Sequence, residues 1–271
     1  MIPIAPPSGI RARLREFYNS SRAYADHLTV ENEAYFKRYL SLIEQYASHA
    51  QMVLDAGCGT GLSSRLLAEA GKKVVGVDLS ELFLRQGRRT SENQNPCFSV
   101  ADILSLPFQD ASFDLVGSYL VIEFLPDVER GLEEMIRVLR KGGILVLVAP
   151  NHLSPIWPLA DFFRMIREGP PRPVWCETPE AALRTCWRNI LLTLRKSFQT
   201  GPEFLYREPD LTCRTVVGQD SDSVYVACPT DLARFLNRRG FRILRRGGQS
   251  MLLEKLFPAL SVAVEVVAEK T

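Results

Sequence analysis

Three glycines at every second position, Gly57, Gly59 and Gly61, follow the apolar run 53–56 and precede residues at helical spacing from Leu62. A strand that turns into a helix on glycine presents free backbone N–H groups and the positive end of a helix dipole. Such a turn suits the anionic part of a nucleotide-like ligand. The spacing G-x-G-x-G differs from the dinucleotide fingerprint G-x-G-x-x-G, and no Lys-Ser or Lys-Thr follows it as in a P-loop.

Two acids follow predicted buried strands downstream of this turn. Asp78 ends the segment 73–78, and Asp102 ends the segment 97–102. Further strands are predicted at 113–119, which ends at Tyr119, and at 142–148. Because strands and helices alternate, the pattern predicts a parallel sheet that is covered on both faces. Ligands of such sheets bind at the carboxyl ends of the strands, where the glycine turn, Asp78, Asp102 and Tyr119 would meet.

Five segments together resemble the class I S-adenosylmethionine-dependent methyltransferases that act mainly on small molecules. They are VLDAGCGTG (53–61), VVGVDLS (74–80), ADILSLPF (101–108), FDLVGSYLVIEFLPD (113–127) and LRKGGILVLVAPN (139–151). The resemblance covers roughly residues 50–151. It implies an α/β fold with a Rossmann-like, doubly wound sheet of seven strands. The last strand would be antiparallel and inserted beside the fifth.

The resemblance also implies S-adenosylmethionine as the cofactor and a role for each matching residue. The amides of the three loop glycines would bind its carboxylate, and Asp55 would help to fix the loop and the amino-acid end. Asp78 would accept hydrogen bonds from both ribose hydroxyls, with Leu79 against the adenine. Asp102 would accept from the adenine amine, and the backbone N–H of Ile103 would donate. The alternative for Asp78 and Asp102 is that they only cap the following helices.

The part of the site that would bind the methyl acceptor is less well defined by the sequence. Many relatives carry Glu-His after the fourth strand, whereas this chain has Glu123-Phe124. His152 follows the fifth strand, and we predict that it faces the acceptor and withdraws a hydroxyl proton as the catalytic residue. The alternative is a solvated or capping loop histidine. Tyr119 is expected to form a wall of the cofactor pocket.

The chain divides into four predicted parts. Residues 1–48 form an N-terminal helical cap, with helices at 10–27 and 31–47, and residues 49–151 form the cofactor-binding core. Residues 152–222 are a long insertion with helices near 158–166 and 179–197, interpreted as a lid over the acceptor site, with a dimerisation surface as the alternative. Residues 223–271 complete the core sheet with a helix at 229–240 and strands at 241–245 and 261–268.

The composition of the chain limits the kinds of partner that it can be expected to bind. A formal net charge of +2 gives no general case for nucleic acid or an anionic membrane, and no apolar run reaches membrane-spanning length. Six cysteines without a C-x-x-C pair indicate neither a zinc site nor a disulfide framework, so no metal is predicted. No segment resembles a signal peptide, and a cytoplasmic monomer or homodimer is expected. Six arginines between 234 and 246 are compatible with a lipid- or sugar-linked anionic acceptor, or with a charged sheet edge.

These observations predict a methyltransferase for a small or medium-sized acceptor, with oxygen as the methylated atom. DNA amino-methylation is disfavoured because the fourth strand is not followed by an Asp/Asn-Pro-Pro-aromatic motif. A catalytically inactive relative that serves as a binding or partner subunit is an alternative, given Phe124 in place of histidine. An NAD-dependent dehydrogenase is a further alternative, which the glycine spacing opposes.

Overall fold

A computed structural model describes residues 4–29, 33–89, 95–168, 176, 178–212, 222–248 and 260–271. Within these ranges the chain forms seven strands and nine α-helices. The strands are β1 (Met52–Ala56), β2 (Lys73–Asp78), β3 (Cys97–Val100), β4 (Phe113–Tyr119), β5 (Leu139–Pro150), β6 (Phe241–Arg246) and β7 (Ala263–Lys270). The helices are α1 (Ile10–Ser20), α2 (Arg22–Thr29), α3 (Glu33–Ala47), α4 (Leu62–Glu69), α5 (Glu81–Arg89), α6 (Val128–Val138), α7 (Ile156–Glu168), α8 (Pro179–Phe198) and α9 (Pro229–Arg238).

All seven strands belong to one sheet in the order β3-β2-β1-β4-β5-β7-β6. The pairs from β3 to β5 are parallel, and β7 is antiparallel to both β5 and β6. The predicted doubly wound sheet with an inserted antiparallel last strand is confirmed. The central strands β1 and β4 are buried along almost their whole length, as expected for a sheet that is covered on both faces.

Two hydrophobic clusters, one for each face, hold the sheet between its helices. One cluster packs Leu132 and Met135 of α6 and Leu232 of α9 against β4, β5 and β7. The other packs Tyr39 and Leu42 of α3 against β1, β4 and β5. Since both faces are covered by helices, the exposed rim of the sheet is the place where a ligand can approach the strand ends.

The helical predictions are right in kind and differ in their ends. The predicted helix over 10–27 is divided into α1 and α2 at Ser21, whose side chain is buried. The helix predicted near 158–166 is longer in the structure, where it is α7 (Ile156–Glu168). Helix α8 begins at Pro179 as predicted. Thr178 is its N-cap residue, and the Thr178 side chain accepts a hydrogen bond from the Ala181 amide. In the described part of the chain, no helix has the length and apolar character that crossing a membrane requires.

Candidate cofactor and acceptor site

A cavity of about 380 Å³ lies at the carboxyl ends of β1, β2, β3 and β4. Its walls include the turn after β1, the end of β2, the segment after β3 and the end of β4. The sequence-predicted residues that line it are Gly57, Gly59, Asp78, Leu79, Asp102, Ile103 and Tyr119. The structure therefore brings together at one rim of the sheet the residues that the sequence places at four separate strand ends.

The glycine turn keeps the chain close to its neighbours rather than offering three free amides. Gly57 and Gly61 have φ of 81° and 79°, and a Cβ at either would overlap the side chain of Val121 or Phe98. The Gly57 amide donates to the Val77 carbonyl at 2.8 Å, and the Gly61 amide to the Cys58 carbonyl at 2.8 Å.

The hydrogen atoms of these two amides are thus used in bonds to β2 and within the turn. The Gly59 amide donates at 2.9 Å to Oδ2 of Asp78, so it too has a partner inside the protein. Gly61 is not among the described residues that line the cavity. The glycines serve to bring the turn against β2 and β4, and this leaves the cavity between them.

Asp55 lies behind the cavity wall and anchors the turn from the inside. Its Oδ2 accepts hydrogen bonds from the hydroxyls of Ser63 and Ser64, both at 2.6 Å, and Oδ1 accepts from Tyr39 at 3.4 Å. Burial raises the pKa of Asp55, and the two serine hydroxyls act against that rise. Asp55 therefore ties α4 and α3 to β1, and direct contact with a ligand in the cavity is not part of its role here.

Asp78 stands at the end of β2 with its carboxylate at the cavity. Oδ2 accepts from the Gly59 amide, and Oδ1 accepts from the Ser80 amide at 2.8 Å. Burial raises the pKa of Asp78 to about 6, although both backbone hydrogen bonds favour the charged form. A half-buried carboxylate with unused lone pairs is an acceptor for a pair of ligand hydroxyls.

Asp102 is held by a residue that the sequence did not indicate. Arg11 of α1 donates to Oδ2 of Asp102 through Nε at 2.8 Å and Nη2 at 2.6 Å. Oδ1 accepts from the Leu104 amide at 2.9 Å. An adenine amine at this carboxylate would have to share it with Arg11, while Leu79 and Ile103 supply apolar surface beside it.

Tyr119 forms an aromatic wall at the end of β4, as predicted. Its ring lies 5.1 Å from Phe36, 5.3 Å from Tyr39 and 5.8 Å from Tyr35, measured between centroids. Its hydroxyl donates to the backbone carbonyl of Tyr35 at 2.7 Å. The wall is thus built jointly by β4 and α3.

The N-terminal helices close the cavity from above the sheet. Their contributions are Arg11, Leu14, Tyr18, Tyr24, Leu28, Tyr35 and Phe36. Two hydrogen bonds attach them to the cofactor-side elements: Thr60 donates to the Leu28 carbonyl at 3.2 Å, and Ser80 donates to the Tyr18 carbonyl at 3.0 Å. Aromatic residues at helical spacing were the only signal in the sequence for this contact.

Two carboxylates that the sequence analysis did not select also line the cavity. Glu123 is buried in the short turn after β4, and its carbonyl accepts from the amides of Val224 and Tyr225 at 2.8 and 2.9 Å. Asp222 accepts at Oδ2 from the Tyr18 hydroxyl at 2.9 Å. Burial, followed by the charge of Asp222, raises the pKa of Tyr18 well above its usual value, so this hydroxyl stays protonated.

His152 is not at the cavity, and the prediction that it faces the acceptor is wrong. Its Nδ1 accepts from the Ala227 amide at 3.2 Å, and its own amide donates to the Ala227 carbonyl at 3.1 Å. The side-chain amide of Asn189 donates to the His152 carbonyl at 3.0 Å. These bonds fasten the histidine between the 222–228 segment and α8, so it is a buried structural residue.

The insertion does not cover the cavity in the part of the chain that the structure describes. Of the described residues between 152 and 222, Asp222 alone lines it. The helices α7 and α8 pack on each other, and α8 is joined to α9 by an ion pair between Lys196 and Asp231. In the described part of the chain, the residues that close the cavity above the sheet come from α1, α2 and α3.

Three of the six arginines in the predicted basic surface near residues 234–246 are paired with acids. Arg239 pairs with Glu133, Arg242 with Glu269, and Arg245 with Glu265. The Arg245–Glu265 pair is buried, and Arg38 of α3 joins it with two bonds of 2.8 and 2.7 Å. The arrangement agrees with the alternative of a charged sheet edge rather than an anion-binding surface.

Fold and site together define an α/β protein that holds a nucleotide-like cofactor at the switch between β1 and β4, where the sheet order reverses. Residues 54–147 match the family model of a methyltransferase domain. This segment belongs to the class I S-adenosylmethionine-dependent methyltransferases, so the resemblance seen in the sequence is confirmed, and S-adenosylmethionine is the cofactor of that class.

Relatives and solved structures agree with this assignment. The chain is 34% identical over 167 residues to a malonyl-[acyl-carrier protein] O-methyltransferase of Erwinia billingiae, covering 58% of this chain and 62% of that protein. It is 35% identical over 136 residues to a demethylmenaquinone methyltransferase of Thermobifida fusca, covering 49% and 56%. The chain thus spans about half of the length of such relatives.

Among solved structures, the fold is similar to a methyltransferase of Mesorhizobium loti with a TM-score of 0.54 at 21% identity. That comparison covers 88% of this chain and 98% of the other. A magnesium protoporphyrin IX methyltransferase of Synechocystis gives a TM-score of 0.55 at 15% identity, covering 98% and 99%. At these identities the likeness concerns the fold alone.

Proposed function

We propose that this protein transfers a methyl group from S-adenosylmethionine to a small or medium-sized acceptor, with oxygen as the methylated atom. The observation that carries the proposal is the cavity at the ends of β1 to β4, with the half-buried carboxylate of Asp78 on its wall. Oxygen is supported by relatives that are named as O-methyltransferases and match about half of their length.

The cavity fits the cofactor in size and in the kind of group that it presents. A volume of about 380 Å³ is within the range of small-molecule sites. Asp78 would accept from the ribose hydroxyls, and Leu79 with Ile103 would enclose the adenine. Tyr119 and the Gly57–Thr60 turn would border the amino-acid end. We propose residues 1–48 as the cap over this site, with 49–151 and 223–271 as the core.

At the acceptor end, Glu123 and Asp222 are the groups that can take a proton. S-adenosylmethionine supplies an electrophilic methyl group on a sulfonium, so the protein has to align the acceptor oxygen and exclude water. The proton of an acceptor hydroxyl would pass to the carboxylate of Glu123, and Tyr18 holds Asp222 beside it.

Calorimetry with S-adenosylmethionine, S-adenosylhomocysteine and NAD tests the cofactor. We expect both adenosyl compounds to bind and NAD not to bind. Asp78→Ala should weaken binding by about 1–3 kcal/mol, because charge-assisted hydrogen bonds are lost. Asp110→Ala is the control, since Asp110 is an exposed acid that pairs with Arg137 and does not line the cavity. Unchanged affinity in Asp78→Ala would contradict the proposed role of this residue.

Transfer of a labelled methyl group to candidate hydroxyl acceptors tests the role of Glu123. We expect Glu123→Gln to lower kcat by roughly 10²–10⁴-fold, as for the loss of a general base, while cofactor affinity is kept. Asp222→Asn is the matched comparison on the same wall. If Asp222→Asn abolishes turnover and Glu123→Gln does not, the two carboxylates have the reverse roles.

A further inference from the structure

Helix α8 presents its apolar side to solvent and its polar side to the protein. Its exposed large apolar residues are Leu183, Trp187, Leu191, Leu194 and Phe198. At 3.6 residues per turn they lie within about 80° of arc, so they form one continuous stripe. The exposed fraction is 64% for Trp187 and 86% for Phe198.

The inward side of α8 is fixed by specific polar contacts. Asn189 is 1% exposed and donates to the carbonyls of His152 and Ser154, both at 3.0 Å. Lys196 is 2% exposed, and its Nζ donates to Asp231 at 2.5 Å and to the Glu203 carbonyl at 2.6 Å. The buried line that they form with Ala182 lies about 160° around the helix from the apolar stripe. The outward orientation of the stripe is therefore built into the fold.

The neighbouring helix α7 also exposes large apolar residues. Leu159, Phe163 and Ile166 are exposed at helical spacing, while Asp161 and Met165 are buried. The two helices pack against each other through buried residues that include Met165 of α7 and Ala182 of α8. We term the eight exposed apolar residues of α7 and α8 the outer apolar face. A continuous apolar stripe such as that of α8 on a folded protein marks an interaction site.

The charges beside the outer apolar face indicate its partner. Arg184, Arg188 and Arg195 are exposed and follow one flank of the α8 stripe, about 100–140° from Leu183, and Arg195 is paired with Glu203. On the described parts of α7 and α8 the exposed acids are Glu168 and Glu180, which lie at helix ends. Large apolar and aromatic side chains bordered by arginine match the boundary between acyl chains and anionic headgroups.

We propose that the outer apolar face docks on an anionic lipid surface, with α7 and α8 lying in the plane of the headgroups. Leu, Trp and Phe side chains would enter the acyl boundary, and the arginine flank would remain among the lipid phosphates. A second copy of the chain would place the same basic flank in an interface that has to be complementary to itself. The lipid surface satisfies the apolar stripe and the arginines together.

Co-sedimentation with vesicles tests the proposal in the full-length protein. We expect binding to vesicles of equal parts phosphatidylcholine and phosphatidylglycerol, and weaker binding to phosphatidylcholine alone. Leu191→Ser should weaken vesicle binding about tenfold, and Trp187→Ser/Leu191→Ser/Leu194→Ser should abolish it. Arg184→Gln/Arg188→Gln should reduce the preference for anionic vesicles by about fivefold per arginine.

Met52→Ser is the matched control, because Met52 is an exposed apolar residue at the start of β1, outside this face. All replaced side chains are exposed, so thermal unfolding and S-adenosylhomocysteine binding should stay as in the unmodified protein. The proposal is overturned if the triple variant binds vesicles as well as the unmodified protein. It is also overturned if the protein is a dimer in lipid-free buffer that Leu191→Ser dissociates, since a second copy then occupies the face.

Discussion

The N-terminal helices and the insertion helices are both amphipathic and rich in aromatic residues, yet they use their apolar sides in opposite ways. In α1 to α3, Leu14, Phe36 and Tyr39 are buried, and they face the cavity or the sheet. In α7 and α8, Phe163, Trp187 and their neighbours are exposed. The apolar sides of α1 to α3 close a ligand cavity, whereas those of α7 and α8 are available to a partner outside the chain.

The difference shows that amphipathic character does not define which side of a helix is buried. The cap is held by apolar packing on the sheet and by a few hydrogen bonds to the cofactor-side elements. The insertion is held by two small apolar clusters and by buried polar groups, among them Asn189 and the Lys196–Asp231 pair. Burial raises the pKa of Asp231 despite the adjacent ammonium group, because the cost of desolvating the carboxylate outweighs the attraction of Lys196.

The largest expected effect comes from breaking that polar anchor. Asp231→Ala should lower the free energy of unfolding by about 3–5 kcal/mol, because it leaves the buried ammonium of Lys196 without its carboxylate. Urea unfolding measures the change. Cofactor affinity should remain, since neither residue lines the cavity.

The double variant Lys196→Met/Asp231→Leu separates orientation from stability. Removing both charges together should recover most of the stability that Asp231→Ala loses. If vesicle binding is then weakened while the free energy of unfolding is restored, the ion pair serves to orient the outer apolar face. Arg195→Gln provides a control at the neighbouring, more exposed pair with Glu203, where the loss should not exceed about 1 kcal/mol.

A matched leucine pair tests the comparison directly. Leu14→Ala in α1 should lower the free energy of unfolding by about 2–5 kcal/mol, because it leaves a cavity beneath the cap. Leu191→Ala in α8 should change it by no more than about 0.5 kcal/mol, because that side chain is exposed. Equal losses at the two positions would show that the two regions are not packed differently.

The two surfaces should also differ in their dependence on pH, which is the smallest of these effects. Burial raises the pKa of Asp78 to about 6, and the ionised form accepts hydrogen bonds from the ligand. Cofactor affinity should therefore be full above pH 6 and fall as the pH drops through it, by up to about tenfold per pH unit. Asp78→Asn should remove this dependence in calorimetric titrations.

Vesicle binding should not follow the same profile. Its basic flank consists of arginines, which stay protonated throughout the range in which Asp78 titrates. Measuring cofactor binding and vesicle binding against pH in the same buffers compares the two surfaces without any substitution. A common inflection near pH 6 would mean that docking and the cofactor site are coupled, contrary to the separation described above.

Much of the sheet and the cofactor rim could be predicted because they depend on local pattern. Apolar strands that end in Gly57, Asp78, Asp102 and Tyr119 have to place those residues at one rim once the sheet is parallel. The same logic did not reveal the partners of the glycine amides, Val77 and Cys58, which come from the fold itself. Asp55, one residue before the end of β1, points inward and accepts hydrogen bonds from Ser63 and Ser64.

The sequence by itself determined which strands end in glycine or polar residues, the class of the cofactor, and the amphipathic periodicity of α1 to α3 and α8. Only the tertiary structure decided that Glu123 and Asp222 line the same cavity, that His152 is buried and does not line it, and that α8 turns its leucines outward. The physical reason is that periodicity records the spacing of side chains along a helix. Which side becomes buried depends on long-range partners, such as the one Asp231 provides for Lys196.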